Sequence, residues 1–248
     1  MTLAEDVARY YAARAPVYDE TAGYTDAQAE RLREPIQARY RTLFTGHTVL
    51  EIACGTGYWT RAIAPAARAV LGIDIHAELL AQARRRCASL PHVAFEVADA
   101  YELASIPGGF SAALGIWWWS HVPRERLPAF LDTLHGKLRP GARVLFADQL
   151  PYEGHRRRQD PRGNTLEERR LPDGRRFWIV KNFPTEAQIR AALARSAEEI
   201  EYRERPDERS WSVRYRLRAA AANRAGRRCV ARAAPPRRED ESCKPAGP

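Results

Sequence analysis

The densest chemical signal in the chain is the run Val49-Leu50-Glu51-Ile52-Ala53-Cys54-Gly55-Thr56-Gly57. An apolar stretch feeds a glycine turn and then a helical segment. Gly55 and Gly57 allow positive φ and let the backbone come close to a ligand. The helix that follows offers free N–H groups and the positive end of its dipole. Seventeen positions beyond Gly57, the next apolar run reaches Asp74; a third run is followed by Asp99. An acid at the end of the second strand can accept both hydroxyls of a ribose. A dinucleotide would call for G-x-G-x-x-G, but Thr60 holds the third glycine position, and Tyr58 and Trp59 crowd the turn where a pyrophosphate would lie. Glu51 would repel a pyrophosphate and could favour an ammonium group. The turn therefore suits a nucleoside bearing an amino acid better than a dinucleotide. A plain structural turn is the competing reading.

These residues need strand ends to hold them, and the hydropathy pattern supplies the strands. Thr48–Ala53, Ala69–Ile75, Val93–Val97, Phe110–Trp119 and Ala142–Asp148 are apolar runs, with helical stretches over Tyr58–Ala67, Ala77–Ala88 and Arg124–Leu138. Strands alternating with helices imply crossover units and a parallel sheet, buried on both faces. Before them, residues 3–22 and 26–44 read as amphipathic helices. Pro16 kinks or ends the first, and Thr25 or Asp26 caps the second. After Asp148 the stretch 151–164 is polar. Thr165–Leu171 and Arg175–Lys181 read as a hairpin turned by Asp173-Gly174. Thr185–Ala194 is helical, and Glu198–Arg205 and Arg209–Leu217 are two strands antiparallel to each other.

The stretches LEIACGTG (50–57), LGIDI (71–75), VADA (97–100) and LRPGARVLFAD (138–148) resemble the class I S-adenosylmethionine-dependent methyltransferases, over roughly residues 1–217. The resemblance implies an α/β fold: a doubly wound, mostly parallel seven-stranded sheet with an antiparallel C-terminal strand pair. It implies an enzyme with S-adenosyl-L-methionine as cofactor. By it, Glu51, Ala53, Gly55 and Gly57 cradle the methionine part. Asp74 and Ile75 lie at the ribose, Asp99 and Ala100 lie against the adenine, and the backbone near Ile116 and Trp117 closes the site. The segment Tyr10–Asp19 is similar to the N-terminal cap helix of the small-molecule members, so Tyr11, Arg14 and Tyr18 are expected over the cofactor's carboxylate, with core packing as the alternative for the tyrosines. Ala53 replaces the family's usual first glycine, and Ser111 stands where an Asp often opens strand four.

Methyl transfer from a sulfonium is an in-line displacement, so the protein aligns the reactants and excludes water. A general base is needed only if the acceptor must lose a proton. The candidate is His121, in Trp117-Trp118-Trp119-Ser120-His121; a structural histidine capping the next helix is the alternative. Strand alternation would send Trp118 opposite Trp117 and Trp119, with one of the three lining an acceptor pocket. Asp148 reads as a solvated or catalytic strand-end acid, Arg156–Arg158 as a solvated loop, and Cys54 as packing beside the turn.

The 248 residues carry a net charge of +9, 45% apolar residues and four cysteines. From Arg214 on, nine Arg and one Lys face Glu239, Asp240 and Glu241, so the body is close to neutral. No run is long enough to span a membrane. The acidic start has no basic or apolar leader, and the scattered cysteines make no metal or disulfide pattern, so a cytoplasmic protein without a metal site is expected. The expected organisation is a helical cap over 1–45, a cofactor-binding domain over 46–217 with a hairpin insertion at about 151–183 as a pocket cover, and a basic, solvated tail over 218–248. The expected reaction methylates a small-molecule acceptor, in a monomer or homodimer; nucleic acid is not an expected partner. The alternative is an RNA or protein methyltransferase using the basic tail.

Overall fold

The structure is a computed structural model that describes residues 2–219. The expected tail, from 220 onward, lies outside the described residues, as do Cys229 and Cys243.

Helix α1 (Leu3–Arg14) begins in a capping box: Thr2 Oγ1 accepts from Glu5 N–H, and Glu5 accepts from Thr2 N–H at 2.7 Å. Pro16 ends it, as its missing N–H requires, in a 3₁₀ turn over Ala15–Val17. A short α2 (Tyr18–Thr21) and a long α3 (Ala27–Leu43) complete the N-terminal layer, and Asp26 caps α3.

The main sheet contains β1 (Thr48–Ile52), β2 (Ala69–Asp74), β3 (Val93–Val97), β4 (Phe110–Ile116), β5 (Leu138–Gln149), β9 (Ala197–Arg205) and β10 (Ser210–Leu217). Their order is β3-β2-β1-β4-β5-β10-β9, parallel except that β10 runs antiparallel to both neighbours. The order of strands reverses between β1 and β4, which opens a crevice at their carboxyl ends. Every residue of β4 is buried, which accounts for its unbroken apolar run. Helices α4 (Tyr58–Ile63), α5 (Ala77–Arg86), α6 (Leu127–His135) and α7 (Glu186–Leu193) connect the strands.

Three expectations change. First, β4 stops at Ile116, because Trp117 turns into the left-handed region (φ 59°) and Trp119–His121 forms a 3₁₀ turn. Strand alternation therefore does not govern the tryptophans. Trp119 packs in the core against Phe146 and Trp211, while Trp118 sits against Tyr101 and Phe130. Second, β5 starts at Leu138, so Arg139-Pro140-Gly141 lies within it; the irregularity that admits the proline shows as a register shift against β4. Third, the polar stretch before the hairpin forms β6 (Arg157–Gln159), which joins β7 (Thr165–Arg170) and β8 (Arg176–Val180) in a second, antiparallel sheet. Arg157 is no solvated loop residue. It pairs at 2.7 Å with Glu167, a fully buried carboxylate that also takes Arg169 at 2.8 Å. Arg158 stacks over Trp178.

The second sheet packs on α1: Val7 and Tyr10 meet Leu166, Leu171, Ile179 and Val180. Its tie to the main sheet is ionic. Asp148, fully buried at the end of β5, pairs with Lys181 just beyond β8 at 2.9 Å and accepts from Ser120 N–H at 2.9 Å; Lys181 also donates to Ser120 Oγ at 2.8 Å. Asp148 is thus no solvated acid. Burial pushes its carboxyl up, but the Lys181 ammonium, His121 and the Ser120 and Gln149 N–H groups together outweigh this and the net shift is downward. Breaking one partner of such a pair leaves an uncompensated buried charge. We expect Lys181→Met to lose about 3–5 kcal/mol in urea unfolding at neutral pH. The double variant with Asp148→Asn should recover most of that loss. A single variant as stable as the parent would show that the pair does not hold the two sheets together.

Candidate functional site

The site grows from the tips of β1, β2 and β3. After Ile52 the chain passes through Ala53 (φ 52°), Gly55 (φ 56°) and Gly57 (φ 72°). A side chain on Gly57 would meet Ala83 Cβ at 2.9 Å, so this position needs glycine for conformation and for space alike. Gly57 caps α4 from outside the cavity. Ala53 takes a left-handed conformation without that freedom, a strain of about 1–2 kcal/mol at a single residue.

Asp74 ends β2 and is almost fully buried. Its Oδ2 accepts from Gly55 N–H and its Oδ1 from His76 N–H, both at 2.9 Å. The first bond ties the tips of β1 and β2 together, the second caps the turn after β2, and carboxylate lone pairs remain unspent toward the cavity. Burial raises its carboxyl above the usual range despite these hydrogen bonds. Asp99 follows β3 and accepts from Tyr101 N–H at 2.9 Å.

A cavity of about 360 Å³ lies on this edge. Among the expected site residues, Tyr11, Tyr18, Ala53, Gly55, Asp74, Ile75, Asp99, Ala100, Ile116, Trp117 and His121 line it. Arg14 and Glu51 do not. Arg14 stacks over Tyr18 at 4.7 Å and donates to Thr21 Oγ1 at 2.8 Å. Glu51 is buried beneath the turn and accepts from Thr60 Oγ1 at 2.6 Å. Burial pushes its carboxyl up to about 8. This upward shift weakens the expected attraction for an ammonium group. Cys54 is buried and free, and burial raises its thiol, consistent with packing.

Other groups were not foreseen. The far wall of the cavity is the start of α1, with Thr2, Glu5 and Val7, together with Tyr101, Trp118 and Arg126. The Thr2-x-x-Glu5 spacing could have marked that helix start. Asp19 accepts from Thr56 Oγ1 at 2.6 Å and pairs with Arg86, so α2 is fastened to the glycine turn. No local spacing joins those three residues. The hairpin contributes no lining residue; it backs α1 and is not the expected pocket cover.

His121 is buried, with both ring nitrogens engaged. Val180 O lies 2.8 Å from Nδ1, and a carbonyl can only accept, so Nδ1 carries the proton. Nε2 is then bare and accepts from the Tyr11 hydroxyl at 2.9 Å. Burial, with Lys181 nearby, pushes the imidazole down to about 3. Burial also raises the Tyr11 phenol.

Residues 49–141 match a family model described as a methyltransferase domain. The structure is similar to that of DhpI in complex with SAH, at 31% identity over 87% of this chain and 97% of that chain, with a TM-score of 0.66. A DhpI–SAM–HEP complex is similar at 27% identity over 87% and 100% of the two chains, with a TM-score of 0.65. The 2-phytyl-1,4-naphtoquinone methyltransferase of Nostoc punctiforme is 28% identical over 140 residues, 54% of this chain; the chain spans 60% of the length of that relative. With the sheet order and the glycine–aspartate edge, these matches place the chain in the class I S-adenosylmethionine-dependent methyltransferases. Among the described residues, no helix is long and apolar enough to cross a membrane.

The His121 shift has a consequence for stability. Its folded value near 3 lies below the ordinary 6.5. Between these values the unfolded chain binds more protons, so the stabilisation from a neutral His121 is complete above 6.5 and is lost as pH falls toward 3. At pH 5 the loss is about 2 kcal/mol. Urea unfolding at pH 7 and pH 5 should show this drop, and His121→Asn should lessen it. An unchanged pH slope in the variant would contradict a buried neutral imidazole.

Proposed function

We propose that this chain transfers a methyl group from S-adenosyl-L-methionine to a small-molecule acceptor held between the strand tips and α1. The observation that carries this reading is the single cavity running from Asp74 and Asp99 to α1. One end offers what an adenosyl amino acid needs. Asp74, with unspent lone pairs, would hold the ribose hydroxyls. Asp99, Ala100 and the half-exposed Ile75 would flank the adenine. Gly55 would let the backbone approach the methionine part, with Tyr18 above it; the Tyr18 hydroxyl lies 3.7 Å from where a Gly55 side chain would begin. Ile116 and Trp117 would form the back of the site. When bound, the cofactor supplies an activated methyl on a sulfonium. The chain's own work is alignment and exclusion of water.

The other end of the cavity is largely apolar and aromatic, with Thr2, Glu5 and Arg126 among its lining, which supports a small organic acceptor over a polymer. The name of the Nostoc relative points the same way for that protein. The buried free Cys54 and Cys87 suit a cytoplasmic setting.

Calorimetric titration with S-adenosylhomocysteine tests the cofactor end. We expect binding in the parent, weakened by about 1–3 kcal/mol in Asp74→Ala, where ribose hydroxyls lose their buried partner. Absence of binding, or equal binding in the variant, would refute the assignment.

A further inference from the structure

Tyr11 and His121 stand side by side at the cavity wall, and their hydrogen bond has a fixed direction. Nδ1 of His121 is committed to Val180 O, so Nε2 can only accept, and the Tyr11 hydroxyl must donate to it. A phenol has one proton. With that proton committed, Tyr11 Oη has only lone pairs to offer any other group. Among the described residues it has no second partner. The dyad cannot easily turn round, because reversal would require the other histidine tautomer and orphan the buried Val180 carbonyl. The strand edge and α1 both hold the arrangement: α1 is pressed down by the second sheet, and the 119–121 turn is anchored to Asp148 through Ser120 N–H.

The surroundings describe the guest. Ala4, Val7 and Ala8 of α1 face the cavity. So do Trp118 and Tyr101, whose rings lie 5.7 Å apart, with Arg126 stacked 3.5 Å over Tyr101. The wall is largely apolar here, with Thr2, Glu5 and Arg126 as polar neighbours of Tyr11.

We propose that Tyr11 Oη, made a pure hydrogen-bond acceptor by His121, selects and orients an apolar or aromatic methyl acceptor through that acceptor's own O–H. This deepens the cofactor reading above and rests on it. It moves Tyr11 from the cofactor lid to the acceptor. His121 is then a positioning residue that never touches the acceptor.

The test uses the S-adenosylhomocysteine-loaded protein and two probes with one ring system, 1-naphthol and 1-methoxynaphthalene, titrated calorimetrically. The parent should bind the naphthol about five- to tenfold more tightly than the ether, the net value of one buried hydrogen bond. Tyr11→Phe should erase that preference while keeping S-adenosylhomocysteine affinity and ether affinity; the melting temperature falls, because the buried His121 Nε2 loses its donor. His121→Leu, which frees the Tyr11 proton, should weaken the preference with Tyr11 still present. No preference in the parent, a preference that survives Tyr11→Phe, or 1-naphthoate binding more tightly than 1-naphthol would overturn the proposal. Loss of S-adenosylhomocysteine binding in the parent would instead overturn the cofactor reading.

Discussion

A single buried carboxylate organises the α1 side of the cavity. Asp148, at the end of β5, cannot be hydrated, so its charge is met by Lys181 from the second sheet and by Ser120 N–H from the turn after β4. Meeting that requirement brings β8 against the main sheet and fixes the 119–121 turn. The turn places His121 against Val180 O and orients its ring. The ring in turn orders the Tyr11 hydroxyl, and with it the face of α1 that closes the cavity. Each step follows from the cost of leaving a buried polar group unpaired.

The cofactor side has a different logic. There the strand order reverses at β1 and β4, and the cavity is lined by residues at or soon after the strand ends, among them Ala53, Gly55, Asp74, Asp99 and Ile116, with Tyr18 from α2. Asp74 binds the tips of β1 and β2 to each other through Gly55 N–H and still retains acceptor capacity. Directly beneath the turn, burial raises the Glu51 carboxyl, and Thr60 Oγ1 donates to it.

The second sheet shows how a feature can be legible and its use not. The hairpin and its Asp173-Gly174 turn follow from local residue chemistry. What it covers does not. Its apolar face could have closed the cavity directly. Instead Leu166, Ile179 and Val180 pack on Val7 and Tyr10, so the sheet acts on the cavity through α1 and through Val180 O on His121. Arg157 is a similar case: its place in a basic, polar run said solvent, and the buried Glu167 ten residues on said otherwise.

The sequence by itself determined the parallel sheet, the final antiparallel pair, the Pro16 break, and the Gly55, Asp74 and Asp99 edge. These rest on short-range physics: apolar runs buried on both faces, a proline without an N–H, glycines at positive φ, and acids at or just past the end of a strand. Only the tertiary structure decided the roles of Asp148, Glu51, His121 and Tyr11. A carboxylate's charge and a hydroxyl's direction depend on burial and on partners 33, 9, 59 and 110 positions away in the chain, and those distances close only when the sheets and α1 pack.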